Sequence, residues 1–382
     1  MTKIYLFIFV AFICSCSSSD DTIDNSGSSL SDALLGLNLP SLPFDYANQS
    51  IPGYITKDNT PAGQNIDNDI ATLGRVLFYD TNLSVNNTIS CASCHQQSMA
   101  FSDADVQSSG LSGGLTGRHA MRLVNTRFAN ETRFFWDERA LSLENQVTQP
   151  IQDHIEMGFS GTDGDPSFDD LIMRLNGLSY YPVLFANAFD SNEIDEIKIQ
   201  RALAQFIRSI QSFDSKYDIG RSQSPNDQVP FDNYSVAENL GKTLFLNPPN
   251  LDGAGCAGCH APPEFDIDPQ SLNNGVIALA NGQLGTDLTN TRAPSLRDVT
   301  NRQGELNGPL MHNGNFSNLL QVVNHYNSII VNPNIDNRLR GPNNEGQQLN
   351  LTEEEKLAII AFLKTLSGTD VYNNERWSNP FE

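Results

Sequence analysis

The sequence predicts a mainly α-helical fold with two tandem domains and long loops. A block of the form L-G-[RK]-x-L-F occurs twice, at 73–78 and at 240–245, and places apolar side chains at helical spacing each time. Each block is followed, about 18 and about 16 residues later, by a pentapeptide of the form C-x-x-C-H. No series of residues alternates between apolar and polar as a half-buried strand does. These observations together predict two related helical domains.

The two pentapeptides, Cys91–His95 and Cys256–His260, have the spacing of covalent haem attachment. Two cysteines three residues apart can add to the two vinyl groups of one porphyrin, and the histidine that follows is then held beneath the iron as an axial ligand. We therefore predict two covalently bound haem c groups in cytochrome c-like domains, and a function in electron handling or oxidation. The attachment residues are Cys91, Cys94, His95, Cys256, Cys259 and His260.

Zinc binding and thiol redox chemistry are the alternative interpretations of C-x-x-C-H. A zinc site built from the four cysteines would leave both histidines without a role. A thioredoxin-like redox pair would not need a histidine at the same place twice. The signs of export described next also favour haem c, because covalent attachment of haem takes place outside the cytoplasm.

The first residues have the composition of a secretory leader. Lys3 precedes an apolar run over 4–13, which is too short to span a bilayer as a helix. The run ends in Ile-Cys-Ser-Cys, which resembles a bacterial lipobox, so we expect residues 1–15 to be removed and Cys16 to carry lipid. An ordinary signal peptide cleaved nearby is the alternative. The expected location is the periplasm or the cell surface, with membrane attachment through Cys16 only.

The rest of the chain divides by composition. Residues 16–45 begin with a run of Ser, Asp and Gly that cannot bury a core, and we predict a flexible tether there. An N-terminal domain is expected over 46–215 and a C-terminal domain over 216–382, with a polar linker over 214–232. The formal net charge of −22 argues against nucleic acid as a partner and is compatible with a small basic electron donor.

Two further stretches show helix signals. Apolar residues recur at helical spacing from Ile199 to Phe213 and predict an amphipathic helix that closes the first domain. Near the C-terminus, Thr352 begins a capping box ahead of a helix predicted over Glu353–Leu366, which Gly368 ends.

Taken together, these features resemble the bacterial dihaem cytochrome c peroxidases and the related MauG-type enzymes. The likeness extends over about residues 65–370, with the motifs in the family's order and at nearly its spacing. Besides the two haem motifs, the shared segments are the L-G-R-x-L-F-x-D block from Leu73, Phe135–Ala140, Leu143–Gln146, Pro150–Ile151, Glu156–Met157 and Met311–Gly314.

The resemblance implies unequal roles for the two haems. His95 would be the proximal ligand of the iron at which peroxide reacts, and His260 that of the iron that receives electrons. Glu156 would move a proton during O–O cleavage, and Gln146 would hydrogen-bond the oxygens. Trp136 would lie between the haems and couple them. Taken alone, these three would be a solvated acid, a surface amide and a core aromatic.

Tyr326 is the position that divides the family. It shares a predicted helical face with Leu319 and Val323, so it points inward. By the resemblance, this position supplies the second axial ligand of the C-terminal iron, which is methionine in peroxidases and tyrosine in MauG-type enzymes. A phenolate ligand stabilises ferric iron. A core tyrosine that leaves the iron open is the alternative, and Met311 and His325 are lesser ligand candidates.

Other positions depart from the family pattern. Many relatives have a histidine in the loop after the first motif that blocks the peroxidatic iron. The local candidate here is His119, which instead falls where relatives often have an asparagine that binds calcium. A calcium ion between the domains would have its other ligands near Asn307 and Pro309. The family's Trp-Asp-Gly-Arg has Glu138 in place of glycine.

The resemblance therefore predicts an enzyme that reduces hydrogen peroxide to water. Electrons from a small redox protein, such as a cytochrome c, would enter at the C-terminal haem and pass to the N-terminal haem. MauG-like oxidation of a protein or other large substrate is the first alternative, and Tyr326 favours it. A dihaem electron carrier without catalysis is the second, and Glu156 and Gln146 argue against it. Relatives are often dimers, so a homodimer is a further expectation.

Overall fold

The computed structural model describes residues 34–266 and 268–381. The predicted leader, the lipidation candidate Cys16 and the first part of the tether lie outside the described residues. Within them the fold is mainly helical, as predicted, with isolated β-bridges but no strand, and no helix there is long and apolar enough to cross a membrane. The α-helices are α1 (Asn68–Tyr79), α2 (Cys91–Cys94), α3 (Leu143–Val147), α4 (Phe168–Asn176), α5 (Tyr180–Phe189), α6 (Glu196–Ser209), α7 (Lys216–Ser222), α8 (Val236–Leu246), α9 (Leu319–Asn327) and α10 (Glu353–Lys364).

The duplicated block forms the same packing unit in both halves of the chain. Helix α1 packs on α6 at Gly74, and α8 packs on α10 at Gly241. A Cβ atom added at Gly74 would lie 2.0 Å from the carbonyl oxygen of Ala202, and one at Gly241 would lie 1.8 Å from that of Ala358. Only glycine permits two backbones to approach so closely, which explains its presence in both copies of the block.

We expect Gly241→Ala to destabilise the haem-loaded protein by about 1–3 kcal/mol, because the added methyl group meets backbone that cannot rotate away. Gly53→Ala is the matched control, since a Cβ atom at Gly53 meets nothing within 4 Å. Urea unfolding followed by far-UV circular dichroism measures both. Equal unfolding midpoints would show that the helix crossing tolerates the added methyl group.

The described residues bury two separate hydrophobic clusters. The first is formed mainly within 46–210 and the second within 217–366. Val371 and Trp377 then return to the first cluster, and the Trp377 indole Nε1 donates to the Ser209 hydroxyl at 3.2 Å. The C-terminal residues therefore pack against the N-terminal half of the chain.

The linker predicted over 214–232 is wrong. Helix α7 occupies its first half, and Tyr217 and Phe231 are buried in the second cluster. Their rings lie 5.7 Å apart. Burial of two large aromatic side chains offsets the entropy cost of ordering the segment. The prediction was based on the many turn-forming residues of the segment and did not take these two aromatic residues into account.

The two predicted helices form, with different ends. Helix α6 ends at Ser209 because Ile210 takes an extended backbone conformation, so Phe213 lies beyond the helix. Helix α10 begins with the predicted capping box between Thr352 and Glu355 and ends at Lys364.

Candidate haem sites

The first C-x-x-C-H motif forms the short helix α2 with its histidine at the end. His95 Nδ1 lies 3.1 Å from the carbonyl oxygen of Phe101. Because a carbonyl can only accept, Nδ1 carries the proton and the lone pair of Nε2 is left for a metal. A left-handed turn at Ala100 and Phe101 brings this carbonyl back to the ring. Burial lowers the pKa of His95, so the imidazole is neutral, as ligation requires.

The second motif borders a cavity of about 400 Å³. Cys256, Cys259 and His260 line it together with Tyr326. Burial lowers the pKa of His260 to about 4, so this imidazole is also neutral at physiological pH. The walls are largely apolar, including Leu310, Leu319, Val322, Val323 and Leu363.

Two guanidinium groups supply a polar part of the same cavity. Arg122 and Arg292 line it, and the Nε atom of each is buried without a hydrogen-bond partner among the described residues. A buried charged donor without an acceptor is costly, so this cavity suits a ligand with an apolar body and an anionic edge. Haem c has an apolar macrocycle and two propionate carboxylates. The residues present therefore fit haem.

The zinc interpretation does not fit. Cys91 packs against the first hydrophobic cluster and Cys256 against the second, so the two cysteine pairs belong to different cores. Across 34–266 and 268–381, no group of three or more His, Cys, Asp or Glu side chains is arranged to hold a metal ion. A four-cysteine site is therefore excluded for these residues.

Tyr326 and Met311 both line the C-terminal cavity, whereas His325 does not. The His325 Nε2–H donates to the carbonyl oxygen of Asn274 at 2.8 Å, which holds the ring beside the cavity. Burial raises the pKa of the Tyr326 phenol, so only a strong Lewis acid such as ferric iron would hold it as phenolate. The structure brings Tyr326 to the same cavity as His260.

A second, polar cavity of about 480 Å³ contains Glu156. Burial, reinforced by the charge of Asp153, raises the pKa of Glu156 to about 7, while Arg139 opposes the shift. The charge of Glu156 in turn contributes to the raised pKa of Cys91 and Cys94, which places this carboxyl near the first motif.

Hydrogen bonds at the backbone N–H and the carbonyl of Glu156 hold its loop in place. Its backbone N–H donates to the Asp153 carboxylate at 3.0 Å, and its carbonyl accepts from Leu111 N–H at 3.1 Å. Gln146 lies half-buried on α3 and does not line the cavity. Glu196 also lines it, but its carboxylate accepts from Thr148 and Gln152, both at 2.9 Å. Glu156 is therefore the cavity carboxyl that faces the first motif.

Trp136 is a buried aromatic residue in the wall of the C-terminal cavity. Its ring lines the C-terminal cavity, while the preceding residue, Phe135, lines the polar cavity with Glu156. The indole Nε1–H donates to the carbonyl oxygen of His119 at 2.7 Å, and the Trp136 carbonyl accepts from Arg292 N–H at 3.0 Å. These bonds fix the indole at the junction of the two halves of the chain.

Comparison with known proteins shows what the chain is similar to. The model of the di-haem cytochrome c peroxidase family matches residues 68–224. Methylamine utilization protein MauG of Methylophilus methylotrophus is 28% identical over 304 residues, which are 78% of this chain and 82% of that protein. Cytochrome c551 peroxidase of Nitrosomonas europaea is 28% identical over 313 residues, 78% of this chain and 80% of that protein. The chain is therefore similar to the di-haem cytochrome c peroxidases and to the MauG proteins.

A solved structure extends the likeness to the fold. A MauG-like protein associated with microbial copper homeostasis superposes with a TM-score of 0.69 at 27% identity, over 88% of this chain and 99% of that one. The match to a di-haem family implies two c-type haems, in agreement with the two attachment motifs of the chain. The two relatives, one with a MauG name and one with a peroxidase name, have the same identity to this chain.

Positions at which the sequence departs from the family pattern are hydrogen-bonded within the chain. His119 is buried, with Nδ1 3.0 Å from the carbonyl oxygen of Asp105 and Nε2 3.3 Å from the Ser102 hydroxyl. Both ring nitrogens are engaged, so this arrangement does not offer His119 to iron. The Asn307 amide nitrogen donates to the Asp298 carbonyl at 2.8 Å, and Pro309 lines the C-terminal cavity. Calcium binding there stays a prediction.

Glu138 faces a second buried carboxyl. Glu131 is 3% exposed, and Glu131 Oε2 and Glu138 Oε1 are both buried without a donor among the described residues. Burial raises the pKa of Glu138 to about 7, and the charge of Glu131 adds to the shift. One proton shared between the carboxyls would satisfy both oxygens. The pair adjoins Arg292, whose Nη2 lies 4.0 Å from Glu131 Oε2.

The Glu131–Glu138 pair should make stability depend on pH. A carboxyl whose pKa is raised in the folded state binds more protons in the folded than in the unfolded protein. Its contribution to stability is therefore lost as the pH rises from the ordinary pKa of a glutamate to the raised pKa of about 7. We expect Glu138→Gln to reduce the fall in stability between pH 5 and pH 8 by about 1 kcal/mol, a figure discounted for its half-exposed position. Urea unfolding at both pH values measures this, and parallel losses in both proteins would contradict it.

The sequence did not indicate Arg122, Arg292 or the carbonyl of Phe101 as parts of the sites. All three lie outside the described α-helices, where no periodicity marks which side of the chain faces the core. Their roles follow only from the cavity and the ring that they face.

Proposed function

We propose that this protein is a dihaem c-type cytochrome peroxidase that reduces hydrogen peroxide to water. Electrons from a small redox protein such as a cytochrome c enter at the C-terminal domain, 216–382, and pass to the peroxidatic N-terminal domain, 46–215. The observation that carries the proposal is Glu156, a buried carboxyl with a pKa near 7 in a polar cavity beside the first haem motif. Such a group is what proton transfer between the two peroxide oxygens requires.

Haem, when bound, supplies the redox centre and the iron to which peroxide binds. Glu156 accepts the proton of the inner peroxide oxygen and returns it to the outer oxygen, which leaves as water. A pKa near 7 suits both steps, since neither the acid nor the carboxylate is strongly favoured at neutral pH. The polar side chains of Asn145, Gln149 and Gln152 line the cavity and keep it wet for entry and release. Gln146 does not line this cavity, so the orienting role that the resemblance implies for it is not part of the proposal.

The placement of Trp136 supports its proposed coupling role. It lines the cavity of His260, its neighbour Phe135 lines the cavity of Glu156, and hydrogen bonds at its indole N–H and its backbone carbonyl hold it in place. His95 and His260 would hold the two haem irons, because each follows its cysteine pair and is buried as a neutral imidazole. A test of the whole proposal is the consumption of peroxide with reduced cytochrome c as donor. A carrier without catalysis would leave peroxide unconsumed.

MauG-like oxidation of a protein or other large substrate is the second candidate. It is favoured by Tyr326, which reaches the C-terminal cavity from α9 and whose phenolate would hold the haem iron there. In the proposed periplasmic or cell-surface location, Cys16 would provide the only membrane attachment. Such an enzyme would oxidise a cytochrome donor slowly.

We expect Tyr326→Phe to change the ferric spectrum of the C-terminal haem, because it removes the phenolate ligand and with it the charge transfer from oxygen to iron. Met311→Leu, which also alters the cavity wall, is the control and should leave that spectrum in place. Electron paramagnetic resonance of the ferric holoprotein measures the spin state of each iron. An unchanged spectrum in Tyr326→Phe would show that the phenolate assignment is wrong.

A further inference from the structure

Two tyrosines at the start of α5 share one buried carboxylate. The Tyr180 and Tyr181 hydroxyls both donate to Asp80 Oδ2, at 2.7 Å and 2.8 Å. The other oxygen of Asp80 accepts from the backbone and side-chain nitrogens of Asn82, both at 2.8 Å, which fixes the orientation of the carboxylate. Asp80 is 2% exposed and Tyr181 is fully buried.

The pair leads from the first haem motif towards the surface. Tyr181 belongs to the hydrophobic cluster against which Cys91 packs. The Tyr180 and Tyr181 rings lie 4.7 Å apart between centroids. Tyr180 is half-buried, and its ring lies 6.2 Å from Phe381, which is 36% exposed.

We propose that Tyr181 and Tyr180, with Asp80 as their common base, form a redox relay that carries oxidising equivalents from the N-terminal haem site to the surface beside Phe381. The relay rests on the proposed function, because peroxide supplies the oxidant. It would let the enzyme oxidise a hydrogen-atom donor, such as a phenolic side chain of a second protein, that cannot enter the polar cavity.

The shared carboxylate makes each step neutral overall. Tyr181 gives one electron to the oxidised haem site and its hydroxyl proton to Asp80, which leaves a neutral tyrosyl radical and a protonated carboxyl. Tyr180 then gives its proton to Asp80 and its electron to Tyr181, while Asp80 returns a proton to Tyr181. A surface donor finally gives one electron to Tyr180, which takes its proton back from Asp80, while the donor releases its own proton to solvent. This restores the Asp80 carboxylate, and two such cycles use the two oxidising equivalents of one peroxide.

Each phenol must lose its proton and its electron together, because loss of either one alone is unfavourable. Burial raises the pKa of both phenols, so each is neutral at physiological pH. Removal of an electron without the proton would leave a cation in the apolar core, at high cost. A carboxylate oxygen within hydrogen-bond distance of both hydroxyls avoids that charge.

The test mixes the ferric holoprotein with hydrogen peroxide and uses two readouts. Electron paramagnetic resonance after rapid freezing detects tyrosyl radicals, and a water-soluble spin trap followed by peptide mass spectrometry locates radicals that reach the surface. We expect a tyrosyl signal in the wild type and a trap adduct on Tyr180. Tyr181→Phe should lose both, whereas Tyr180→Phe should keep the tyrosyl signal and lose the adduct.

Tyr217→Phe is the matched control, since the Tyr217 hydroxyl also donates to a carboxylate, that of Asp227, but in the second cluster. It should keep both signals. Peroxide consumption without an adduct on Tyr180, or an adduct that survives in Tyr181→Phe, would overturn the relay and leave the peroxidase proposal standing. A haem spectrum that peroxide does not change would overturn both.

Discussion

Glu156→Gln should lower peroxide turnover by about 10²–10⁴-fold, the usual contribution of a positioned general acid–base group, while both haems remain attached. Glutamine keeps the size and polarity of the side chain but can neither accept nor return a proton. The wild-type carboxyl lies in the polar cavity beside the first haem motif, with its backbone held by Asp153 and Leu111. Steady-state turnover with reduced cytochrome c measures the loss.

The same substitution should alter the pH profile. Glu156 must begin as a carboxylate to accept a proton from peroxide, and its pKa is raised to about 7. The wild-type rate of reaction with peroxide should therefore rise with pH up to about 7 and then level off, and Glu156→Gln should lose this dependence. Glu196→Gln is the matched control, because Glu196 lines the same cavity with its carboxylate tied to Thr148 and Gln152. Equal turnover in the two variants would contradict the role given to Glu156.

Asp218→Asn should destabilise the protein by about 3–5 kcal/mol, the usual cost of leaving a buried charge without its partner. Arg297 is fully buried, and its Nη1 lies 2.9 Å and 2.8 Å from the two carboxylate oxygens of Asp218. The guanidinium is packed among the rings of Phe213, Tyr217 and Phe265. Water cannot take the place of the lost carboxylate charge. Urea unfolding of the haem-loaded protein measures the change.

Two comparisons separate the buried charge from general damage. Glu353→Gln removes an exposed partner of Lys356 and should change the unfolding midpoint little, because solvent screens that pair. Adding Arg297→Met to Asp218→Asn removes the buried cation and should recover part of the loss. A double variant less stable than Asp218→Asn would show that Arg297 acts through packing and not through its charge.

The helical fold was predictable because its signals are local. The capping box at Thr352 and the apolar periodicity from Ile199 report backbone and side-chain preferences within one turn or two. The repeated L-G-[RK]-x-L-F block indicated a duplication, but the function of its glycine became evident only when Gly74 was seen against the Ala202 backbone. The linker prediction failed because burial of Tyr217 and Phe231 depends on a distant part of the chain.

Some residues of the candidate sites could also be predicted from the sequence, whereas others could not. The spacing of the cysteines and histidines predicts haem attachment, since thioether bonds to one porphyrin constrain neighbouring residues. Glu156 and Trp136 could be nominated only through the resemblance to a family, because nothing in a single glutamate or tryptophan marks it as catalytic. The buried guanidiniums of Arg122 and Arg292 were not nominated at all, although they bear on the fit of haem.

The sequence by itself determined the covalent chemistry, the two-fold repetition and the helical class, because each depends on residues close together in the chain. Only the tertiary structure decided which carboxyls are buried, which hydroxyls share Asp80, and which arginines face the C-terminal cavity. These properties depend on the removal of water by residues far apart in sequence. Burial sets the pKa of Glu156 and the cost of an unpaired charge at Arg297, so the chemistry of both positions is a property of the fold.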